Sequence, residues 1–255
     1  MLTLNKKEIH LWLTSEQEVP AGELTDRYQA LLNEEEQRRY RRFVFEEHRH
    51  RFLVTRALVR SVLGQYKYTD SAENISFEHN GHGKPRLRNA GTGLHFNVSH
   101  ARGLIALAVV LEYEIGVDVE SVIRKTDIDK LAERYFSPQE FRSMEDFNAK
   151  QRNERFFDLW TLKESYIKAC GQGLTIPLEE FSFSFEGKAI HIAFSPQRND
   201  NPGRWSFWLL NPGGDYRLAL AVSGEKPSDF TLICHRGIPL QDFVKTRLDV
   251  LGTTP

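Results

Sequence analysis

The chain of 255 residues has only two cysteines, Cys170 and Cys234. Neither stands in a CxxC pair or near a histidine at metal-ligand spacing, so a disulfide framework is excluded and both read as small buried residues. No stretch approaches the roughly 18 apolar residues needed to span a bilayer. The N-terminus, MLTLNKKEIHLWLT, holds no apolar run of signal-peptide length. A reducing, cytoplasmic setting without a membrane is therefore expected. An excess of one charge is also missing: 34 basic residues face 35 acidic ones, for a net charge of −1. That balance argues against nucleic acid as a partner. There is no GxxxxGK[ST] phosphate loop, and no GxSxG elbow surrounds Ser99.

What is present is an ordinary globular composition, 40% apolar and 27% charged, enough for one large domain or two small ones. Residues 8 to 13 read as a strand. Residues 33 to 42 read as a helix, with Asn33 as cap and three glutamates in the first turn, where the helix dipole favours them. A longer helix is expected from 46 to 64, with Phe52, Leu53, Ala57, Leu58 and Val62 on one side and Gly64 as its stop. Short strands follow at 75 to 80, 94 to 100, 104 to 110 and 115 to 120. HNGHGKPRL, between the first two, reads as a loop because of Gly81, Gly83 and Pro85. SPQE at 137 to 140 is a helix start: Ser137 caps, Pro138 takes the first helical position and Glu140 completes a capping box. A long helix runs from about 150 to 169 and stops near Gly171. Strands are then expected at 181 to 185, 189 to 194, 204 to 210, 216 to 222 and 230 to 235. A long helix followed by short strands thus occurs twice, and LIALAVV echoes RLALAV. The expectation is an α+β fold of two similar halves, residues 1–112 and 113–255, each a long helix packed on a small, mostly antiparallel sheet.

Five constellations carry possible chemistry. IGVDVE places Asp118 and Glu120 on one face of a strand, roughly 6.5 to 7 Å apart, with Val117 and Val119 facing the other way. Two carboxylates so close repel, and a hard cation such as Mg²⁺ relieves that; the alternative is a solvated polar face. On the long helix, Glu164 and Lys168 lie one turn apart on one side, either a simple ion pair or part of the same site. FNVSH ends a strand with Asn97, Ser99 and His100, a cluster that binds phosphate or moves protons unless the histidine merely caps. HGKP offers Gly83, Lys84 and Pro85, either an ordinary turn or a place where backbone amides and a lysine meet a phosphate. Eight arginines lie between Arg38 and Arg60; most serve a solvated face paired with nearby glutamates, and one or two suit a ligand phosphate.

Taken together and in order, HGKP at 82, FNVSH at 96, IGVDVE at 115, FSPQEF at 136 and LWTLKESYIKACGQGL at 159 resemble the Sfp-type 4'-phosphopantetheinyl transferases. WxxKESxxK followed by GxGL is the most specific of these, and the arginine-rich stretch resembles the family's entry helix. The resemblance covers roughly residues 30 to 190. It implies two α+β halves with the active site in the cleft between them, coenzyme A as donor and Mg²⁺ as metal. It implies an apo acyl or peptidyl carrier protein as acceptor and adenosine 3',5'-bisphosphate as product. Asp118, Glu120 and Glu164 would hold the metal. Glu164, Lys168 and His100 would be catalytic. Lys168, Ser99 and His100 would contact phosphates, with Lys163 and Asn97 nearby, while Gly83, Lys84 and Pro85 would lie along the nucleotide. Arg39 and Arg51 match positions near its 3'-phosphate. The chain departs from some members at Glu36, where they carry a basic residue, so Arg38 or Arg42 would substitute there. Two internal halves make a monomer sufficient. The competing expectation is a coenzyme A-binding module without turnover.

Overall fold

The structure is a computed structural model that describes residues 1–20, 22–88, 93–224 and 226–255, the side chain of Leu174 excepted. Leu174 of the GQGL run therefore lies outside the described side chains. The first half opens with β1 (Glu8–Ser15), followed by α1 (Glu23–Ala30), α2 (Glu34–Arg42) and α3 (Glu46–Leu63). A hairpin of β2 (Phe77–His79) and β3 (Pro85–Leu87) precedes β4 (Leu94–Ala101) and β5 (Leu104–Leu111). The second half has β6 (Ile115–Ser121), α4 (Ile128–Tyr135), α5 (Pro138–Arg142) and α6 (Ala149–Cys170). It continues through β7 (Phe181–Glu186), β8 (Ala189–Phe194), β9 (Trp205–Asn211) and β10 (Tyr216–Ser223). The chain ends with β11 (Thr231–Gly237), β12 (Phe243–Thr246) and β13 (Asp249–Thr253).

Two sheets result. One has the order β12-β11-β1-β5-β4, the other β6-β10-β9-β13-β8-β7. Both are mostly antiparallel, with a parallel contact between β1 and β11 and another between β13 and β8. The long helices α3 and α6 each cover one sheet, as the α+β expectation of two similar halves has it. The turn between residues 112 and 113 separates the sheets, but β11 and β12 return from the far end of the chain to pair with the first one.

Alternation along the strands explains why they read as nearly continuous apolar runs. In β5, Ile105, Leu107 and Val109 pack with Leu53, Leu58 and Val62 of α3. Ala106, Ala108 and Val110 face Ile115, Val117 and Val119 of β6 across the gap between sheets. In β10, Leu218, Leu220 and Val222 join that middle layer, while Ala219 and Ala221 pack with Phe156, Leu159 and Leu162 of α6. The order of layers is helix, sheet, sheet, helix. Strands buried on both faces lose the polar alternation of a half-exposed sheet.

Helix ends follow their local sequence. Asn33 and Glu36 form a reciprocal capping box on α2 at 2.9 and 3.0 Å. Ser137 and Glu140 do so on α5. Gly171 ends α6 in the left-handed conformation, φ 67°, as glycine does most readily. Gly64 ends α3 without it, at φ −65°; there the requirement is space, since a Cβ would stand 2.7 Å from Ala72 N. The loop expected at 79 to 87 is narrower than its composition suggests, because Pro85–Leu87 pairs with Phe77–His79. Among the described residues, no helix is long and apolar enough to cross a membrane.

One glycine sets the distance between α6 and its sheet. A Cβ on Gly116 would lie 2.0 Å from Ser165 O and 2.5 Å from Ala169 N. Gly116, Asp118 and Glu120 share the face of β6 that meets α6, so this close approach brings the helix onto the acidic residues. Gly116→Ala should cost about 3 kcal/mol through overpacking, lowering Tm by about 6 to 12 °C for a chain of this size. Thermal unfolding followed by circular dichroism checks this; an unchanged Tm would contradict the packing described.

Candidate active site

The two sheets meet at their edges, β4 of the first against β6 of the second. Edge strands carry unpaired backbone groups that need partners when buried. Here side chains supply them. Val117 N donates to Asn97 Oδ1 at 2.9 Å, and Val119 N donates to Ser99 Oγ at 3.3 Å. Asn97 is thereby a buried stitch between the halves through its carbonyl oxygen. Ser99 does double work: its hydroxyl donates to Asp118 Oδ1 at 2.9 Å. Lys168 Nζ then donates to both Asp118 Oδ1, at 2.6 Å, and Ser99 Oγ, at 2.8 Å. Residues from β4, β6 and α6 close one triangle.

That triangle forms the floor of a cavity of about 370 Å³ lined by Val98, Ser99, His100, Asp118, Val119, Glu120, Trp160, Glu164 and Lys168. Six residues expected from the sequence to act together, Ser99, His100, Asp118, Glu120, Glu164 and Lys168, do share it. Trp160, the tryptophan of the WxxKESxxK run, forms a wall one turn before Glu164.

Electrostatics mark the cavity as short of positive charge. Burial, reinforced by the Asp118 carboxylate and partly offset by Arg124, pushes the Glu120 carboxyl up to about 7. Burial and Asp118 also raise Glu164, against the nearby Lys168. Withdrawal of the His100 ring from water, with the Arg51 guanidinium next in weight, holds that imidazole below its ordinary range. Asp118 Oδ2 is buried and has no hydrogen-bond partner. An orphaned carboxylate oxygen among acids that resist ionisation fits a hard divalent cation. Among the described residues, no three acidic, histidine or cysteine side chains already stand at metal-ligand distance; Lys168 occupies the Asp118 carboxylate instead.

Two lysines expected at phosphates lie elsewhere. Lys163 is fully buried on the other side of α6. Its ammonium donates to Leu178 O at 2.7 Å and Phe181 O at 2.6 Å, and pairs with Glu140 at 2.9 Å. It holds the segment after α6 and cannot reach the cavity. Removing one partner of such a buried pair costs about 3–5 kcal/mol. Lys84 Nζ donates to Glu114 Oε2 at 2.9 Å, Ala169 O at 2.9 Å and Ile115 O at 3.2 Å. With Asn80 Nδ2 donating to Gly171 O, it clasps the β2–β3 hairpin onto the C-terminal end of α6. Cationic groups suit that end of a helix. Lys84 is therefore committed to the fold through its side chain. Gly83 forms the hairpin turn at φ 87°. Gly116, Glu114 and Asn80 were not singled out from the sequence; a glycine two before Asp118, on its own face of the strand, was the available signal.

The arginines divide. Arg51 makes a two-pronged pair with Glu16, at 2.8 and 2.9 Å. It borders a cavity of about 920 Å³ that shares His100 and Glu120 with the first. Arg39 lies over the Phe52 ring at 5.2 Å, in a cavity of about 250 Å³ with Arg38, Arg42, Arg56, His79 and Pro85. Arg39 and Arg51 thus border different hollows. Glu36, where a basic residue was the family expectation, is buried in ion pairs with Arg56 and Arg60.

Known proteins match this arrangement along most of the chain. A model of the 4'-phosphopantetheinyl transferase N-terminal region matches residues 19–112, and one of the 4'-phosphopantetheinyl transferase superfamily matches residues 114–221. The 4'-phosphopantetheinyl transferase HetI of Nostoc sp. is 36% identical over 228 residues, 88% of this chain and 91% of its own. The 4'-phosphopantetheinyl transferase ffp of Bacillus subtilis is 31% identical, over 85% and 93%. The Sfp enzyme of B. subtilis strain 168 is 28% identical, over 84% and 92%. The chain belongs to the 4'-phosphopantetheinyl transferases, of the Sfp type.

A carboxyl that ionises near 7 in the fold and near 4.5 when free stabilises the folded chain most below pH 4.5. That contribution is lost as pH rises through 7. Glu120→Gln abolishes the loss. In urea unfolding with EDTA the variant's stability relative to the wild type should be about 2–3 kcal/mol greater at pH 8 than at pH 5. An equal difference at both pH values would contradict the placement of Glu120.

Proposed function

We propose that this chain transfers the 4'-phosphopantetheine arm of coenzyme A to a serine of an acyl or peptidyl carrier protein. The observation that carries this is the cavity at the β4–β6 seam, where three carboxyl groups, a lysine, a serine and a histidine line one space large enough for a diphosphate. The serine oxygen attacks the phosphorus bearing the pantetheine arm, in line with the bond to the nucleotide phosphate. That new P–O bond forms as the diphosphate bridge breaks, and adenosine 3',5'-bisphosphate leaves. Phosphoryl chemistry of this kind depends on positioning and charge neutralisation.

Glu164 takes the serine's proton, directly or through one water; its raised pKa favours that role. Lys168 neutralises the departing phosphate oxygen, giving up its contact with Asp118 to do so. Ser99 and His100 meet the phosphates from the other strand. Asp118, Glu120 and Glu164 are the residues that would hold a magnesium ion, which when bound supplies positive charge beside the diphosphate. Residues 1–112 then form the nucleotide side, through Arg39, Pro85 and the Gly83 turn, with Arg51 near His100. Residues 113–255 form the metal and carrier side. Both walls of the cleft come from one chain, so a monomer in the cytoplasm is sufficient.

The test is incubation with coenzyme A, Mg²⁺ and a panel of apo-carrier proteins, read by intact mass. Mass equal to one arm should appear on the carrier only when all are present; coenzyme A bound without transfer to any carrier would overturn the reading. Glu164→Gln should lose at least about 100-fold in kcat, within the range of general base catalysis, while coenzyme A still binds. Near wild-type turnover would remove Glu164 from this role. Asp118→Ala should abolish the heat of Mg²⁺ binding in calorimetry, and an unchanged titration would place the cation elsewhere.

A further inference from the structure

Glu16 is a buried carboxylate that the chemistry above does not use. It stands just after β1 and is 7% exposed. Three elements meet on it. Arg51 of α3 grips it with two nitrogens, Nε donating to Oε2 at 2.8 Å and Nη2 to Oε1 at 2.9 Å. The amide of Gly103, in the turn between β4 and β5, donates to Oε1 at 2.9 Å. The backbone oxygen of Glu16 lies 2.8 Å from His50 Nε2. A charge withdrawn from water is tolerated when it is paired and hydrogen-bonded in this way. The turn has a second support, since Tyr216 Oη donates to Arg102 O at 2.8 Å. Gly103 has φ 95°, and a Cβ on it would stand 2.5 Å from that hydroxyl. The turn is thereby held from both sides.

A two-pronged pair fixes the plane of the guanidinium. With Nε and Nη2 taken, Nη1 has no hydrogen-bond partner among the described residues. The side chain keeps 17% exposure and borders the cavity of about 920 Å³. That cavity adjoins the acidic one through His100 and Glu120. The hollow around Arg39 shares no lining residue with either. Besides its diphosphate, coenzyme A carries a single anionic group, the phosphate on the ribose 3'-oxygen; the pantetheine arm is neutral. With the diphosphate among the carboxyl groups, the anion left for Arg51 is that 3'-phosphate.

We propose that Glu16 is a positioning residue: it aims the open edge of Arg51 at the 3'-phosphate and so sets the preference for coenzyme A over its 3'-dephospho form. This rests on the transfer reading above. Glu16 touches no substrate and acts through the arginine, whose fork it holds ready before the ligand arrives. The Gly103 amide ties the same carboxylate to the end of β4, three residues beyond His100. Arginine and histidine therefore keep a fixed separation across the opening between the two cavities.

The test is calorimetric titration of the full chain with coenzyme A and with 3'-dephospho-coenzyme A, in Mg²⁺ and without a carrier, so that no transfer occurs. The wild type should bind coenzyme A at least about tenfold more tightly, as suits charge-assisted hydrogen bonds to a phosphate. Glu16→Gln should remove most of that preference while the affinity for the dephospho form stays within about twofold. Arg51→Met should do the same, and adding Glu16→Gln to it should change nothing further, because the two residues act as one unit. Arg51→Lys keeps the charge without the fork; it should also lose the preference, and it serves as the second variant where Glu16→Gln lowers Tm. An equal fall for both ligands in Glu16→Gln marks a merely structural role and overturns the proposal. So does a preference that rises in that variant, since freeing the arginine's charge then outweighs aiming it. A preference retained in Arg51→Lys, or a further loss in the double variant, overturns it as well. Wild-type chain that binds the two ligands equally overturns it and leaves the transfer reading intact; wild-type chain that binds neither overturns both.

Discussion

The contact on which the site depends is that between α6 and β6, made over a residue with no side chain. Because Gly116 presents only backbone to Ser165 and Ala169, the helix axis lies close to the strand. Lys168 then reaches Asp118 and Ser99 together. Any larger residue would lift the helix and open the triangle. The seam beside it follows the same logic. Two sheet edges meet without a backbone ladder, and Asn97 and Ser99 supply the missing partners for Val117 and Val119. The residue that stitches the halves at Ser99 is also a residue of the site, so the fold and the chemistry share an atom.

The three lysines near the motifs show how position decides role. Lys168 lies on the cavity face of α6 and remains 28% exposed. Lys163, five residues earlier, falls on the opposite side and is sealed into a pair with Glu140 under the Phe181 ring. Lys84 is drawn across from the first half to the end of α6. A lysine's flexible stem and strongly hydrated charge suit either a phosphate or a set of carbonyls; burial separates the two cases here.

Much of the architecture was legible because local chemistry and global packing agree. The capping boxes at Asn33 and Ser137, the stop at Gly171 and the apolar runs of β5 and β10 each carry a local cause. The acidic pair on β6 and the Glu164–Lys168 spacing were legible for the same reason, since periods of 2 and 3.6 fix which side chains share a face. Other elements had no such signal. Helix α1 follows Gly22 and buries only Leu24 and Tyr28. The last strand, DVLGT, is not among the strands expected from the sequence, yet it enters the second sheet between β9 and β8. There Gly252 faces Ile190, and a Cβ would stand 3.0 Å from it. Partners distant in sequence decide such cases, as they decide that Lys84 serves Ala169 and Glu114.

The account stands on one cation gathering three acids that the folded chain brings to one cavity. A crystal of this chain grown with coenzyme A and Mn²⁺, with anomalous scattering used to locate the metal, tests that directly. A single anomalous peak bounded by Asp118, Glu120 and Glu164, with Lys168 turned from Asp118 toward a phosphate, is the expected result. A metal peak away from those carboxylates, with Lys168 still on Asp118, would contradict it.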